Sequence, residues 1–259
     1  MAKEQLSRSQ RYGKENYQKK QNKRKKKRGG CAWRTILAVI LLLVGIGLFA
    51  MDPIKNYLIQ NAQKTNAVAN LTRAQIASNE KKEVTYNFSD IKPLNAVDVI
   101  KDHVNPQDLP TVGGVAIPSV KMNLPIYKGV SNEGMYLGAG TLLPDQKMGE
   151  SNYPLPSHHS IHKELLFAPF VNVKIGDMFY LTDLENVYKY EVTFYEQVDP
   201  SRIDLIEPTK DAIVTLITCD SSLTARVVVQ GKLVDKKPIA QATQDMIKAF
   251  DMQQTVPTN

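Results

Sequence analysis

The sequence predicts a mainly β domain, a barrel or sandwich, carried behind a single N-terminal membrane-spanning helix. Three observations lead there. Residues 35–51, TILAVILLLVGIGLFAM, form an uncharged apolar run. The basic block KRKKKR at 23–28 stands before it. Between residues 114 and 234 short β-favouring segments alternate with turn signals, a pattern that argues for a closed or double-layered sheet.

The N-terminal elements follow from charge and length. Residues 1–34 carry 13 Lys and Arg against Glu4 and Glu15, so the other 225 residues have a net charge of −4 although the chain as a whole is +7. The basicity belongs to a tail, and a Lys/Arg run abutting an apolar helix is a topology signal or a contact with anionic lipid rather than a nucleic-acid site. Seventeen residues at a helical rise span about 25 Å, enough for a thin bilayer core once the flanks are counted. The run is longer than the apolar stretch of a cleavable signal, and no small-x-small site follows in FAMDPIKNY. Residues 1–34 are therefore expected to be a cytoplasmic tail and residues 35–52 an uncleaved signal-anchor, with everything after them on the extracellular face. Cys31 and Cys219 then lie on opposite sides of the membrane and cannot pair.

Residues 53–86 are rich in Asn, Gln, Ala and Lys with little apolar content, which predicts a partly helical stalk. The folded domain is expected over residues 87–250. Val97, Ile100 and Val104 share one face of a short helix ended by Asn105-Pro106, with His103 on its surface. Strands are expected at 114–120, 123–127, 135–143, 177–183, 186–198, 212–219 and 225–234, and residues 152–157 read as an extended segment. A helix at 241–250 precedes a frayed tail at 251–259.

The chemistry-bearing residues are few. In TLITCDSSLTARVVV (215–229) an apolar run stops at Cys219, turns through DSSLTA, read as a mobile rim, and resumes at Arg226. If the two runs are neighbouring strands, both side chains point into one groove. A thiol reacts as thiolate, and its ordinary pKa of about 8.5 leaves only a few per cent ionised at neutral pH, so a useful nucleophile needs a histidine or a cation nearby. His158 and His159, in NYPLPSHHSIHKELLF, stand where an extended segment breaks into a loop. A Cys, a His and an Arg at strand ends can supply nucleophile, general acid/base and oxyanion stabiliser for acyl transfer. From residue types alone Cys219 is equally readable as buried core, and His158, His159 and His162 as metal ligands without an acidic partner.

TLITC followed by Arg226, with SHH after an extended segment and GGVAIPSVKMNLPIYKG…YLGAGTL upstream, resembles class A sortases, the membrane-anchored cysteine transpeptidases of Gram-positive bacteria. The likeness covers residues 109–233. It implies an eight-stranded β-barrel with short helices. It also implies cleavage of Leu-Pro-X-Thr-Gly sorting signals between Thr and Gly, and transfer of the Thr to the amine of a lipid-linked peptidoglycan precursor. Surface proteins bearing such signals, that precursor and the membrane would be the partners, with no nucleic acid and no cofactor. By the resemblance Cys219 is the nucleophile, His158 the proton carrier and Arg226 the oxyanion donor. Ile217, Thr218, His159, Pro156 and Ser157 would flank the substrate. Pro156-Ser157 stand where the family usually has Ala-Gly or Ala-Ser. Some members bind calcium near the groove, and Asp199, Asp204 and Glu207 are the acidic residues of the corresponding loop, too few for the six or more oxygens of a calcium site. A pilus-polymerising sortase and a non-catalytic, membrane-tethered barrel that binds peptide or wall polymer are the competing readings.

Overall fold

A computed structural model describes residues 8–65, 67–102 and 105–251. His103, Val104 and all but Asp251 of the tail expected at 251–259 lie outside them, and Asp251 ends a helix. The chain divides into two units, residues 1–51 and 52–259. In the first, every described residue belongs to α1 (Arg8–Thr65). Among the described residues, Ala32–Thr65 is the one helical stretch long and apolar enough to cross a membrane, with a mean hydropathy of 2.5 over its most apolar window.

The second unit is built on one eight-stranded sheet, with short helices around it. In chain order its elements are the end of α1, α2 (Arg73–Asn79), α3 (Ala96–Asp102), β1 (Thr111–Ile117), β2 (Met122–Tyr127), α4 (Asn132–Leu137), β3 (Ala139–Gly140), β4 (Asn152–Pro156), β5 (Met178–Thr182), β6 (Asn186–Val198), β7 (Ile213–Cys219), β8 (Arg226–Pro238) and α5 (Gln244–Asp251). The strand order is β3-β2-β1-β5-β6-β8-β7-β4, antiparallel except for the outer pairs β2–β3 and β4–β7. The sheet curls into a nearly closed barrel, as expected. Across the remaining gap the Ser157 hydroxyl donates 2.7 Å to the Gly138 carbonyl. Inside, Val115, Leu124, Leu155, Phe179, Tyr190 and Leu216 form part of one core, each with 4% or less of its surface exposed. Strands whose side chains are buried on both faces read as continuous apolar runs, which is why β1 and β2 are buried along their whole length while β6 alternates.

Two expectations change. Residues 135–143 were expected as one strand, but they split into the end of α4, a two-residue β3 and a loop. The Ser131 side chain caps α4 by accepting from the Gly134 amide at 3.0 Å, a local signal that overrides the β-favouring Met135-Tyr136-Leu137. The stretch expected as a partly helical stalk packs in part on the barrel. Val68 and Ile76 are buried against Ala116, Tyr180 and Val187, in a cluster shared with Met246 and Phe250 of α5. Few apolar residues suffice because each lands on an outward-facing apolar patch of the sheet, and a Thr72–Gln75 capping box starts α2 where that contact requires.

Candidate active site

Two ladders place the site. β7 runs antiparallel to β8, and the last pair in register is Cys219 opposite Arg226, so their side chains share a face. On the other side β7 runs parallel to β4, with Pro156 beside Ile217. The Ser157 amide extends that pairing by donating 3.0 Å to the Ile217 carbonyl. The ladder ends there, and His158 follows two residues after Pro156, as Cys219 follows two residues after Ile217. Cys219 and Arg226 thus end the β7–β8 ladder side by side, backed by the row Pro156, Ile217, Val228, with His158 just past the end of β4.

Cys219 and Arg226 open onto an apolar cavity of about 360 Å³ whose wall includes Pro156, Ile217, Thr218 and Val228. Pro156, Ile217 and Thr218 are three of the five expected neighbours, and Val228 was not among them. Ile217 and Cys219 are both partly exposed while Thr218 between them is buried, the alternation a strand imposes. The far wall was not foreseen: Tyr86 and Phe88 come from the segment after α2, and Ile203, Leu205 and Ile206 from the β6–β7 loop. The apolar IDLI inside an otherwise polar loop was the available signal. That loop is pinned by a buried amide cluster in which Asn152 donates to the Leu205 and Glu207 carbonyls, both at 2.9 Å. Gln230 donates to the Leu205 carbonyl as well, at 3.2 Å.

Ser157 and His159 do not line this cavity. Ser157 is 3% exposed and spends its hydroxyl on Gly138. His159 forms an isolated bridge with Leu166. Burial lowers its pKa, while the nearby Asp220 carboxylate opposes that shift.

His158 is 7% exposed, stacks on Tyr136 and has a buried Nε2 without a hydrogen-bond partner. Burial alone pushes its pKa down to about 4, so its imidazole is neutral at pH 7. None of the ion pairs among the described residues involves Arg226, whose Nη1 donates 3.1 Å to the neighbouring Ala225 carbonyl. The turn expected to be a mobile rim is tied together. The Asp220 amide donates to the Ala225 carbonyl at 3.1 Å, the Ala225 amide donates back to Oδ1 of Asp220 at 3.0 Å, and Leu223 adopts a left-handed φ of 62°. The Ser222 hydroxyl, followed by the Ala225 amide, draws the Asp220 carboxyl down to about 2, keeping a fixed negative charge in the turn. In the loop considered for calcium, Asp204 pairs with Arg202 at 2.8 Å and Asp199 accepts from Ser201.

The site joins a partly exposed thiol and a guanidinium at the rim of an apolar groove, with a neutral, buried imidazole just beyond the end of the neighbouring strand. Such a set can form and resolve a thioester. The chain is similar to known proteins over this region. The sortase domain pattern matches residues 115–234. A sortase A of Listeria monocytogenes is 38% identical over 199 residues, covering 76% of this chain and 90% of the relative. A sortase A of Streptococcus agalactiae is 34% identical over 224 residues, covering 84% and 91%. The crystal structure of the Listeria monocytogenes sortase A superposes with a TM-score of 0.51 at 42% identity, covering 54% of this chain and 96% of that one. With this fold and these relatives, the chain belongs to the sortase family, the cysteine transpeptidases that anchor proteins to the cell wall.

Proposed function

We propose that Cys219 is the nucleophile, His158 the proton carrier and Arg226 the oxyanion donor in cleavage of Leu-Pro-X-Thr-Gly sorting signals. The observation that supports this assignment is Cys219 opposite Arg226 at the end of the β7–β8 ladder, with His158 two residues beyond the Pro156–Ile217 pair of the β4–β7 ladder. The apolar groove suits the Leu-Pro segment, with Pro156, Ile217 and Val228 as its floor. As Sγ attacks the Thr carbonyl carbon, the thiol proton passes to the imidazole and the carbonyl oxygen gains negative charge. Arg226, with no carboxylate partner among the described residues, has N–H groups to donate to that charge as it develops, where such contacts contribute most. The C–N bond to Gly then breaks, and the amine leaves with the proton from His158. An incoming precursor amine attacks the thioester carbonyl, gives its proton to the same imidazole, and the Cys219 thiol is restored as the new amide forms. A buried imidazole with a pKa near 4 holds a proton briefly, which suits a carrier that must return it within each half-reaction.

We further propose that the chemistry uses side chains alone, and that residues 1–34 are cytoplasmic with the barrel outside. The single N-terminal apolar helix preceded by Lys and Arg supports this topology.

The test is product analysis with a labelled sorting peptide in the presence and absence of an oligoglycine or alanine amine. A new amide to the added amine, absent in Cys219→Ala, is expected. Hydrolysis product alone would overturn transpeptidation, and full cleavage by Cys219→Ala would overturn the nucleophile.

A further inference from the structure

Tyr136 is not among the residues that line the groove, yet it touches the reacting set from behind. Its ring stacks on the His158 imidazole with centroids 5.8 Å apart and planes 24° from parallel, within the range of a favourable offset aromatic pair. The two rings are held by the same piece of backbone. Tyr136 stands two residues before Gly138 and His158 one residue after Ser157, and the Ser157 hydroxyl bonds the Gly138 carbonyl at 2.7 Å. The His158 carbonyl in turn accepts from the Phe167 amide at 3.4 Å. Tyr136 itself is 1% exposed, in a cluster with Ile59 near the end of α1, Val99 of α3, and Leu165 and Leu166 of the loop after His158.

We propose that Tyr136 is a positioning residue for His158: its ring face fixes the imidazole plane and keeps water from it, so that the unpartnered Nε2 stays oriented for proton transfer. The inference rests on His158 being the proton carrier. Positioning is needed because this imidazole has no hydrogen bond to orient its Nε2. Packing is then what selects its rotamer. Burial also keeps the imidazole neutral, and no charged group opposes or assists that shift. The acidic groups nearby, Asp98 and Asp102 of α3 and Glu133 of α4, act on the Tyr136 phenol, which burial first and these charges second raise to about 12, so the ring stays uncharged across the working range.

The experiment compares wild type, Tyr136→Phe, Tyr136→Leu and Tyr136→Met as full chains in detergent micelles. Tyr136→Phe keeps the ring and should keep kcat and the pH profile. Tyr136→Leu and Tyr136→Met should lower kcat for peptide cleavage about tenfold with little change in KM, the scale expected for a proton carrier held slightly out of line. With water admitted, the acid limb of the kcat profile should move to higher pH, toward the ordinary histidine value. A merely structural role would lower the melting temperature and leave that limb in place, which would overturn the proposal. NMR of the labelled wild-type imidazole provides a readout independent of whether either variant folds. Its ring protons should be displaced by the Tyr136 ring current, and no displacement would equally overturn the proposal. Full activity of His158→Ala with the ring-current displacement present would instead remove the assignment on which the inference rests.

Discussion

His158 carries a cost for its position. In the unfolded chain an imidazole takes up its proton near pH 6.5, whereas in the barrel burial delays protonation to about pH 4. Above pH 6.5 neither state is protonated and the group contributes nothing to pH dependence. As pH falls from 6.5 to 4 the unfolded state binds a proton that the folded state refuses, so stability declines. Below pH 4 both states are protonated and the decline from this group ends. The total is roughly 3 kcal/mol by linkage. Urea unfolding of wild type and His158→Gln across that interval checks it: the variant should lose this part of the acid destabilisation, and parallel curves would sink the account. At this scale the sequence was partly legible. Seven residues with a turn between them already suggested that Cys219 and Arg226 face one groove. His158 was a candidate as a histidine where an extended segment ends, but its choice over His159 and its role entered through the family resemblance, because the parallel β4–β7 register that carries the chain to it is encoded by no local pattern. Ser157 shows the converse, since a residue inside a recognised motif can serve closure of the fold rather than contact with substrate.

The element that shapes the groove is the β6–β7 loop, and its apolar residues face the cavity because Asn152 and Gln230 hold the Leu205 carbonyl from below. Asn152 also accepts from the buried Thr215 hydroxyl at 2.7 Å, so the side chain ties strand β4, strand β7 and the loop together. Asn152→Ala leaves two backbone carbonyls and a hydroxyl without these partners, a loss of about 1–3 kcal/mol in stability. With the loop freed, KM for the sorting peptide should rise severalfold while kcat of the bound complex changes less. Steady-state kinetics with a labelled peptide measures the split, and an unchanged KM would refute the clamp. Strands such as β6 were readable because alternation is a local property. The fate of Met135-Tyr136-Leu137 was not, because the competing helix cap is a single hydrogen bond that the Gly134 amide donates to the Ser131 hydroxyl.

For the whole molecule, the consequential difference from expectation is where the folded unit begins. Val68 and Ile76 are as buried as residues of the central core, each such side chain contributing about 1.5–3 kcal/mol. A chain beginning at residue 52 keeps both, and one beginning at residue 81 loses both and exposes Ala116 and Tyr180 beneath them. Their combined loss is a large part of the ~5–15 kcal/mol that holds a domain folded. Thermal unfolding should show a much lower melting temperature for the shorter chain, and equal values would mean that the α2 contact is dispensable. Composition could not reveal this. Burial of two apolar residues in a polar stretch depends on the shape of a surface formed by residues much further along the chain.

The strand order leaves β3 and β4 as the two ends of the ladder, and among the described residues no ladder joins them. The barrel therefore has a seam, fastened between Gly138 and Ser157 by a hydroxyl rather than by a run of amides. A junction of that kind gives way before any ladder does, since its net strength is about 1 kcal/mol. It lies next to His158, so thermal breathing of the wall should be concentrated beside the proposed proton carrier, while the strands that carry Cys219 and Arg226 stay locked together.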